Sequence, residues 1–435
     1  MNFVLFLLLN AVLLLRPEEL FPEIAGLRLY LLTIIPCVLL SLPQLAHELS
    51  PGTLRRRPIS VCVLLFFFST ILSFFVQGRL GEALFEFGPE FGKVILYYFL
   101  LLATVDTPNR FRTFVAALVA LIGGLTTIAL AQHYEIVHFS NIVPCLQKGM
   151  DPVTGEATEL PRLVSSGIFN DPNDLCLMLG LGIMSCIYCA TSRPQVIGGF
   201  LWLLPIPLFI YALMDTHSKG GLLGVLAGGS AYLYSRFGGP KALPYAAAGA
   251  VVAVLAIGGR QASIGGGGTA HERLMFWADG LSNLFSQPFY IPTGLGIGWF
   301  VSENGLVAHN SFVQAYVELG LLGGGAFLAS FYLSARILDR FGRGVNAPHW
   351  VLDAKNYGFG VLIGYAMGCY SLTRNFTVTT YLVLGISSVL LAQASHTLPN
   401  RFQVNRQWFN WLFFMSAVGL AALKLMTQAI SLAGV

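Results

Sequence analysis

The chain has 435 residues, of which 55% are hydrophobic and only 11% charged, with a formal net charge of +4. A soluble domain carries about 25% charged residues, so a water-soluble globular surface is excluded. The small, dispersed positive balance does not point to nucleic acid.

Apolar runs long enough to cross a bilayer recur along the whole chain. They are too long and continuous for barrel strands, and a spanning helix satisfies its own backbone. The expected fold is all-α: a polytopic transmembrane bundle of about 12–13 spans, residues 1–435 forming one membrane domain. Spans are expected near 2–15, 24–45, 58–77, 93–105, 110–131, 172–190, 196–213, 217–236, 243–258, 309–334, 355–372, 376–395 and 408–433. The first run lacks a basic leader and a cleavage site, so it reads as a retained span.

Six of the seven cysteines fall inside these spans; Cys145 lies in a loop. Cys186 and Cys189 have CxxC spacing inside an apolar helix, where small core residues and a redox pair are the two readings. No cysteine pairs with histidine at metal-ligand spacing, so neither metal nor cofactor is expected.

Basic residues mark alternate turns: Arg55 to Arg57, Arg110 with Arg112, Arg193, Arg236 with Lys241, Arg336 to Lys355, and Arg401 with Arg406. The positive-inside rule makes that side cytoplasmic. The N-terminus is then inside, and the two long loops, 132–171 and 259–308, are outside. Nucleotide triphosphates are absent there, so chemistry on that side needs a donor that arrives already activated, for instance on a lipid carrier.

Between 78 and 92, Glu82, Glu86 and Glu90 recur every four residues, as either an interfacial acidic stripe or a solvated face. Loop 132–171 is turn-rich around Asp151, Pro152 and Gly155, and ends in Asn170, Asp171, Pro172, Asn173 and Asp174. An Asn or Asp before a proline caps a helix. The functional reading places Arg162, Asn170 and Asn173 at the outer surface beside a site. Span 217–236 opens on His217, Ser218, Lys219, Gly220 and Gly221. Lys219 either snorkels into headgroups or binds an anion.

The tract Gly265–Gly268 has no phosphate-loop context. Beyond it, Arg273, Phe276, Trp277 and Gly280 fit a short amphipathic helix, and Gly294, Gly296 and Gly298 a tight passage. The passage leads to AHNSFVQAYVELGLLGG, residues 308–324, with His309 and Asn310 at the mouth of a long apolar helix. At about 3.6 residues per turn, His309, Val313, Tyr316, Gly320 and Gly324 share one face.

Transfer from a lipid diphosphate needs cations to stabilise the leaving group and a base to deprotonate an acceptor hydroxyl. Arg273 and Lys219 can supply the first and His309 the second; a headgroup-level histidine is the alternative for His309.

His309 and Asn310, nine residues, then Gly320 and Gly323 resemble the histidine motif of the O-antigen ligase and polymerase superfamily of bacterial inner membranes. Arg273, Trp277 and Pro292 with the glycines after it resemble a second element, Asn170, Pro172 and Asn173 a third, and Ser218 to Gly221 a fourth. The resemblance spans about residues 160–325; the N-terminal third is similar only in being apolar. It implies a metal-independent inverting glycosyltransferase of the periplasmic face, moving a glycan from undecaprenyl diphosphate to an acceptor. The acceptor is a glycolipid (lipid A-core), another glycan, or a protein hydroxyl. It also implies His309 as the catalytic base and Arg273 and Lys219 as diphosphate ligands. Lys219 stands where the family usually has arginine, and Arg162 can supply the missing planar fork. Asn310, Asn170, Asn173, Gly320 and Gly323 are supporting positions. A transporter is the rival reading; it calls for charges at mid-membrane and broken spans in two related halves.

Overall fold

The computed structural model describes residues 1–150, 157–192, 196–242, 244, 269–341, 347–395 and 403–432. The expected span at 243–258 (residue 244 apart), the glycine tract 265–268, and Arg193, Arg343 and Arg401 lie outside them.

The main elements are α1 (Asn2–Leu15), α2 (Leu29–Glu48), α3 (Pro58–Val76), α4 (Gly88–Thr104) and α5 (Pro108–His133). Strands β1 (Cys145–Met150) and β2 (Ala157–Arg162) follow, then α6 (Pro172–Thr191), α7 (Pro205–Asp215) and α8 (Lys219–Phe237). The chain continues through α9 (Thr269–Ser286), α10 (Trp299–Asn304), α11 (Ser311–Arg340), α12 (His349–Ser371), α13 (Val378–Ala394) and α14 (Arg406–Leu432). The protein is an all-α bundle, and seven helical segments among the described residues are long and apolar enough to cross a membrane. The one sheet among the described residues is an antiparallel hairpin, Cys145 opposite Arg162, inside the loop read from sequence as turns.

The chain divides into two compact units. The first comprises 1–44, 103–253 and 346–365. Here α6 is the central helix, packed by α5, α7 and α8, with α1 against α5. The Tyr188 and Tyr357 rings pack tilted, 4.9 Å apart, and Ser185 hydrogen-bonds the Tyr357 hydroxyl at 3.1 Å. The ends of α1, α5 and α7 and the starts of α6 and α8 gather at one end. The Ser166 hydroxyl donates to the Leu15 carbonyl (3.1 Å), and the Leu163 amide donates to the Asp215 carbonyl (3.0 Å).

The second unit comprises 45–102, 254–345 and 366–435. Its axis is α11, flanked by α3, α14 and α13. The Phe66 ring lies 5.2 Å from Phe327 and 5.7 Å from Phe376. The continuous face expected from His309 to Gly324 is interrupted: Gly320 leaves helical geometry, at φ 64° and ψ −158°. A broken helix strands backbone donors and acceptors. Segment 291–296 takes them up. Leu295 and Gly296 donate to the carbonyls of Val317 (2.8 Å) and Glu318 (3.1 Å). Leu321 and Leu322 donate to those of Ile291 (2.9 Å) and Pro292 (3.1 Å). From α3 the Ser73 hydroxyl donates to the Glu318 carbonyl (3.0 Å), and just past its end Gln77 Nε2 donates to the Leu295 carbonyl (2.7 Å).

Candidate functional site

The site residues read from sequence fall into one group in each unit. In the second unit, Asn310 caps α11, its Oδ1 accepting from the amides of Phe312 (3.0 Å) and Val313 (3.1 Å). The side chain is buried, so its role is to fix the helix start. His309, one residue earlier, is half-buried and left-handed, at φ 51°. A histidine held there costs about 1–2 kcal/mol and persists only where its neighbours are pinned.

They are pinned on both sides. The Trp277 indole donates to the Ala308 carbonyl at 2.6 Å. Ser311 is tied to the turn between α12 and α13. Its hydroxyl donates to the Leu372 carbonyl (2.7 Å) and accepts from the Arg374 amide (2.9 Å), and its carbonyl accepts from the Asn375 side chain (2.8 Å).

Arg273, one helical turn before Trp277, reaches the same α12–α13 turn, its Nη1 donating to the Ser371 carbonyl at 3.4 Å. It is half-buried and forms no ion pair with a described carboxylate. Burial pulls its pKa down from the ordinary guanidinium value, yet arginine stays charged. A partly desolvated cation without a carboxylate is costly and has strong affinity for an anion. Turn 371–375 thus joins Arg273 to the frame of His309, and brings in Arg374 and Asn375. Nothing in the neighbouring sequence singles out Arg374 or Asn375. Their contacts to Ser311 span 63 and 64 positions, so no local pattern carries them.

Gly320 and Gly323 also belong to this unit. Gly320 is the break itself. A Cβ on Gly323 would press on Ser69 at 2.7 Å, so its smallness serves the contact between α11 and α3. Neither presents a reactive group, and both act on the placement of α11.

In the first unit, Arg162 ends β2 and ties it to the start of α8. Its Nε donates to the Thr216 carbonyl (2.8 Å) and its Nη2 to Asn173 Oδ1 (3.2 Å). Asn173 Oδ1 also accepts from the Ser218 hydroxyl (2.7 Å), and Ser218 caps α8 by accepting from the Gly221 amide (3.1 Å). Asp171 is the cap of α6 that the Asp-Pro pair suggests, accepting from the Asn173 amide at 2.8 Å.

Lys219 is the first residue of α8 and exposed. A cation there opposes the helix dipole, so an incoming anion would meet both the lysine and the helix amides. His217, two residues earlier, repeats the His309 backbone, with φ 51° just before a capping residue. Asn170, grouped with Asn173 in the sequence reading, is placed apart from it and lines a separate cleft.

No protein-family model matches this chain, and no curated protein matches it. Assignment of a function therefore rests on the residues themselves.

Proposed function

We propose that the protein is an O-antigen ligase-like glycosyltransferase. It moves a glycan from an undecaprenyl-diphosphate carrier to an acceptor hydroxyl, lipid A-core being the favoured acceptor. The observation that carries this reading is turn 371–375, which ties down Ser311, two residues after the left-handed His309, and also receives Arg273, a half-buried cation without a described carboxylate partner.

In the proposed reaction His309 takes the acceptor proton. The acceptor oxygen attacks the anomeric carbon, and the bond from that carbon to the diphosphate breaks with inversion. Arg273 neutralises charge as it grows on the leaving diphosphate, where a fixed cation contributes most to rate. Its fork suits two phosphate oxygens at once. The sequence resemblance assigns Lys219 and Arg162 to the same diphosphate. Lys219, exposed at a helix start, fits an anion better than Arg162, whose Nε and Nη2 are engaged by Thr216 and Asn173. The basic turns on alternate loops support a periplasmic placement of this chemistry, with the protein in a bacterial inner membrane. Polymerisation of carrier-linked repeats and glycosylation of a protein hydroxyl use the same step with another acceptor.

The break at Gly320, with Glu318 buried beside it, is the kind of feature a transporter uses. Here the backbone of residues 317, 318, 321 and 322 is engaged by a loop of the same chain, which favours a fixed joint over an open ion site. The test compares glycolipids by mass spectrometry in a deletion strain carrying either wild type or His309→Ala. Accumulation of undecorated acceptor, reversed by wild type and not by the variant, is the expected result. Full decoration with His309→Ala would remove the proposal.

A further inference from the structure

The first unit holds an open cleft of about 440 Å³ that the transfer chemistry leaves unused, lined by Arg16, Glu19, Asn141, Gly167, Ile168 and Asn170. Its polar wall is built around Glu19. One carboxylate oxygen accepts from Arg16 Nη1 and the other from the Gly167 amide, both at 2.6 Å, while the Glu19 carbonyl accepts from Asn141 Nδ2 at 2.9 Å. Gly167 is left-handed, at φ 63°, and a Cβ there would fall 2.5 Å from Cδ and Nε of Arg16. The Arg16 side chain therefore passes close over the bare Gly167 backbone. Beneath the wall, Leu20, Ile142 and Val164 form a small apolar core.

Three features point to the ligand. Arg16, Glu19 and Asn141 are held together before anything binds, which lowers the ordering cost of association. Unused capacity faces the opening: Asn170 makes no side-chain hydrogen bond among the described residues, Asn141 spends only its Nδ2, and Arg16 has donors beyond the one given to Glu19. Arg16 is already neutralised by Glu19, so the cleft has little net attraction for an anion. Paired amide donors and acceptors, a neutralised guanidinium and one apolar contact at Ile168 match the hydroxyls and ring face of a sugar. The geometry points to a neutral-saccharide subsite in this cleft, distinct from the diphosphate ligands.

This deepens the proposed function by giving the glycan a place to bind, and it rests on that reading only for the glycan's origin. The experiment reads binding without transfer. Full-length protein in lipid nanodiscs, free of sugar-headed detergent, is titrated with methyl α-glucoside, methyl α-galactoside, methyl α-mannoside, N-acetylglucosamine and N-acetylgalactosamine, followed by saturation-transfer difference NMR. Inorganic phosphate is the anionic control. At least one sugar should bind saturably and insensitively to salt. Asn170→Ala, at an exposed position, and Asn141→Ala should each weaken it about tenfold, the size of one or two lost hydrogen bonds.

His309→Ala should bind the sugar as wild type does. Sugar binding without any transfer activity would thus leave the cleft standing and remove the enzyme reading. No binding by any of the five sugars, wild-type affinity in both asparagine variants, or binding of phosphate alone would overturn the subsite.

Discussion

Gly294 and Gly320 meet backbone to backbone: a Cβ on Gly320 would fall 2.5 Å from the Gly294 nitrogen, and one on Gly294 would collide with the backbone of Glu318. Both have a positive φ, 81° and 64°. Through this contact the passage after α9 closes the break in α11, eleven residues beyond His309. Two glycine signals far apart in sequence thus serve one joint.

Alanine at either glycine should therefore open the joint. The positive-φ backbone costs a non-glycine residue about 1–3 kcal/mol and the collision about 1–3 kcal/mol more. Gly298→Ala is the control. Its φ is 84°, but nothing lies within 4 Å of its Cβ position, so it carries the backbone cost alone. Thermal unfolding of the purified protein should show a clearly larger loss for Gly294→Ala and Gly320→Ala. Equal shifts for all three would mean that the joint does not hold α11.

The start of α11 was readable because Asn310 precedes a long apolar run, and a capping side chain needs only local sequence. The cap of α6 at Asp171 was readable in the same way. The break at Gly320 was not, since an apolar period of 3.6 continues across it and its cause lies at 291–296. Nor was the β1–β2 hairpin, whose strands CLQKGM and ATELPR show no clean alternation. Asn170 and Asn173 read as one element, yet the Asp171–Pro172 turn between them sends them to different surroundings. Arg374 meets Ser311 and Arg16 meets Gly167 only across the chain, where no local pattern reaches.

His309 should be chemically essential and structurally dispensable. His309→Gly relieves the left-handed strain, so its melting temperature should match or exceed that of wild type. Transfer should fall by about 10²- to 10⁴-fold, the usual cost of losing a general base. The assay is carrier-linked glycan transfer by purified protein. Wild-type rates from His309→Gly would exclude the imidazole from catalysis.

Trp277 acts on the reaction through Ala308. Trp277→Phe keeps most of the ring and removes the donor to that carbonyl, at a cost of about 1–3 kcal/mol for the stranded acceptor. If the bond positions His309, kcat should drop several-fold with donor KM nearly unchanged. Loss of stability with unaltered kcat in the folded fraction would reduce Trp277 to packing.

Arg273→Lys and Arg273→Gln separate charge from geometry. Lysine keeps the charge but not the fork, and glutamine keeps neither the charge nor the full set of donors. Donor KM should rise and kcat fall in the order Arg, Lys, Gln, because charge on the diphosphate grows towards the transition state. Equal kinetics for the three proteins would place the diphosphate elsewhere.

Lys219 can be tested against its own helix. As the first residue of α8 it sits where the helix dipole is positive, a placement that costs about 0.3–1 kcal/mol. Removing the charge should therefore raise stability slightly if Lys219 has only a structural role. If it clamps a diphosphate, Lys219→Met should combine an unchanged or higher melting temperature with a raised donor KM and slower turnover. Lys219→Arg should retain activity, since a guanidinium offers the same charge and a second donor. Raised salt should weaken donor binding by wild type more than by Lys219→Met, because an exposed charge is screened within about 10 Å at 0.1 M. The measurements are donor titrations of the three purified proteins at two ionic strengths, with unfolding curves alongside. A Lys219→Met protein that is more stable, equally active and equally salt-sensitive would assign the lysine to the headgroups and leave Arg273 as the anion ligand.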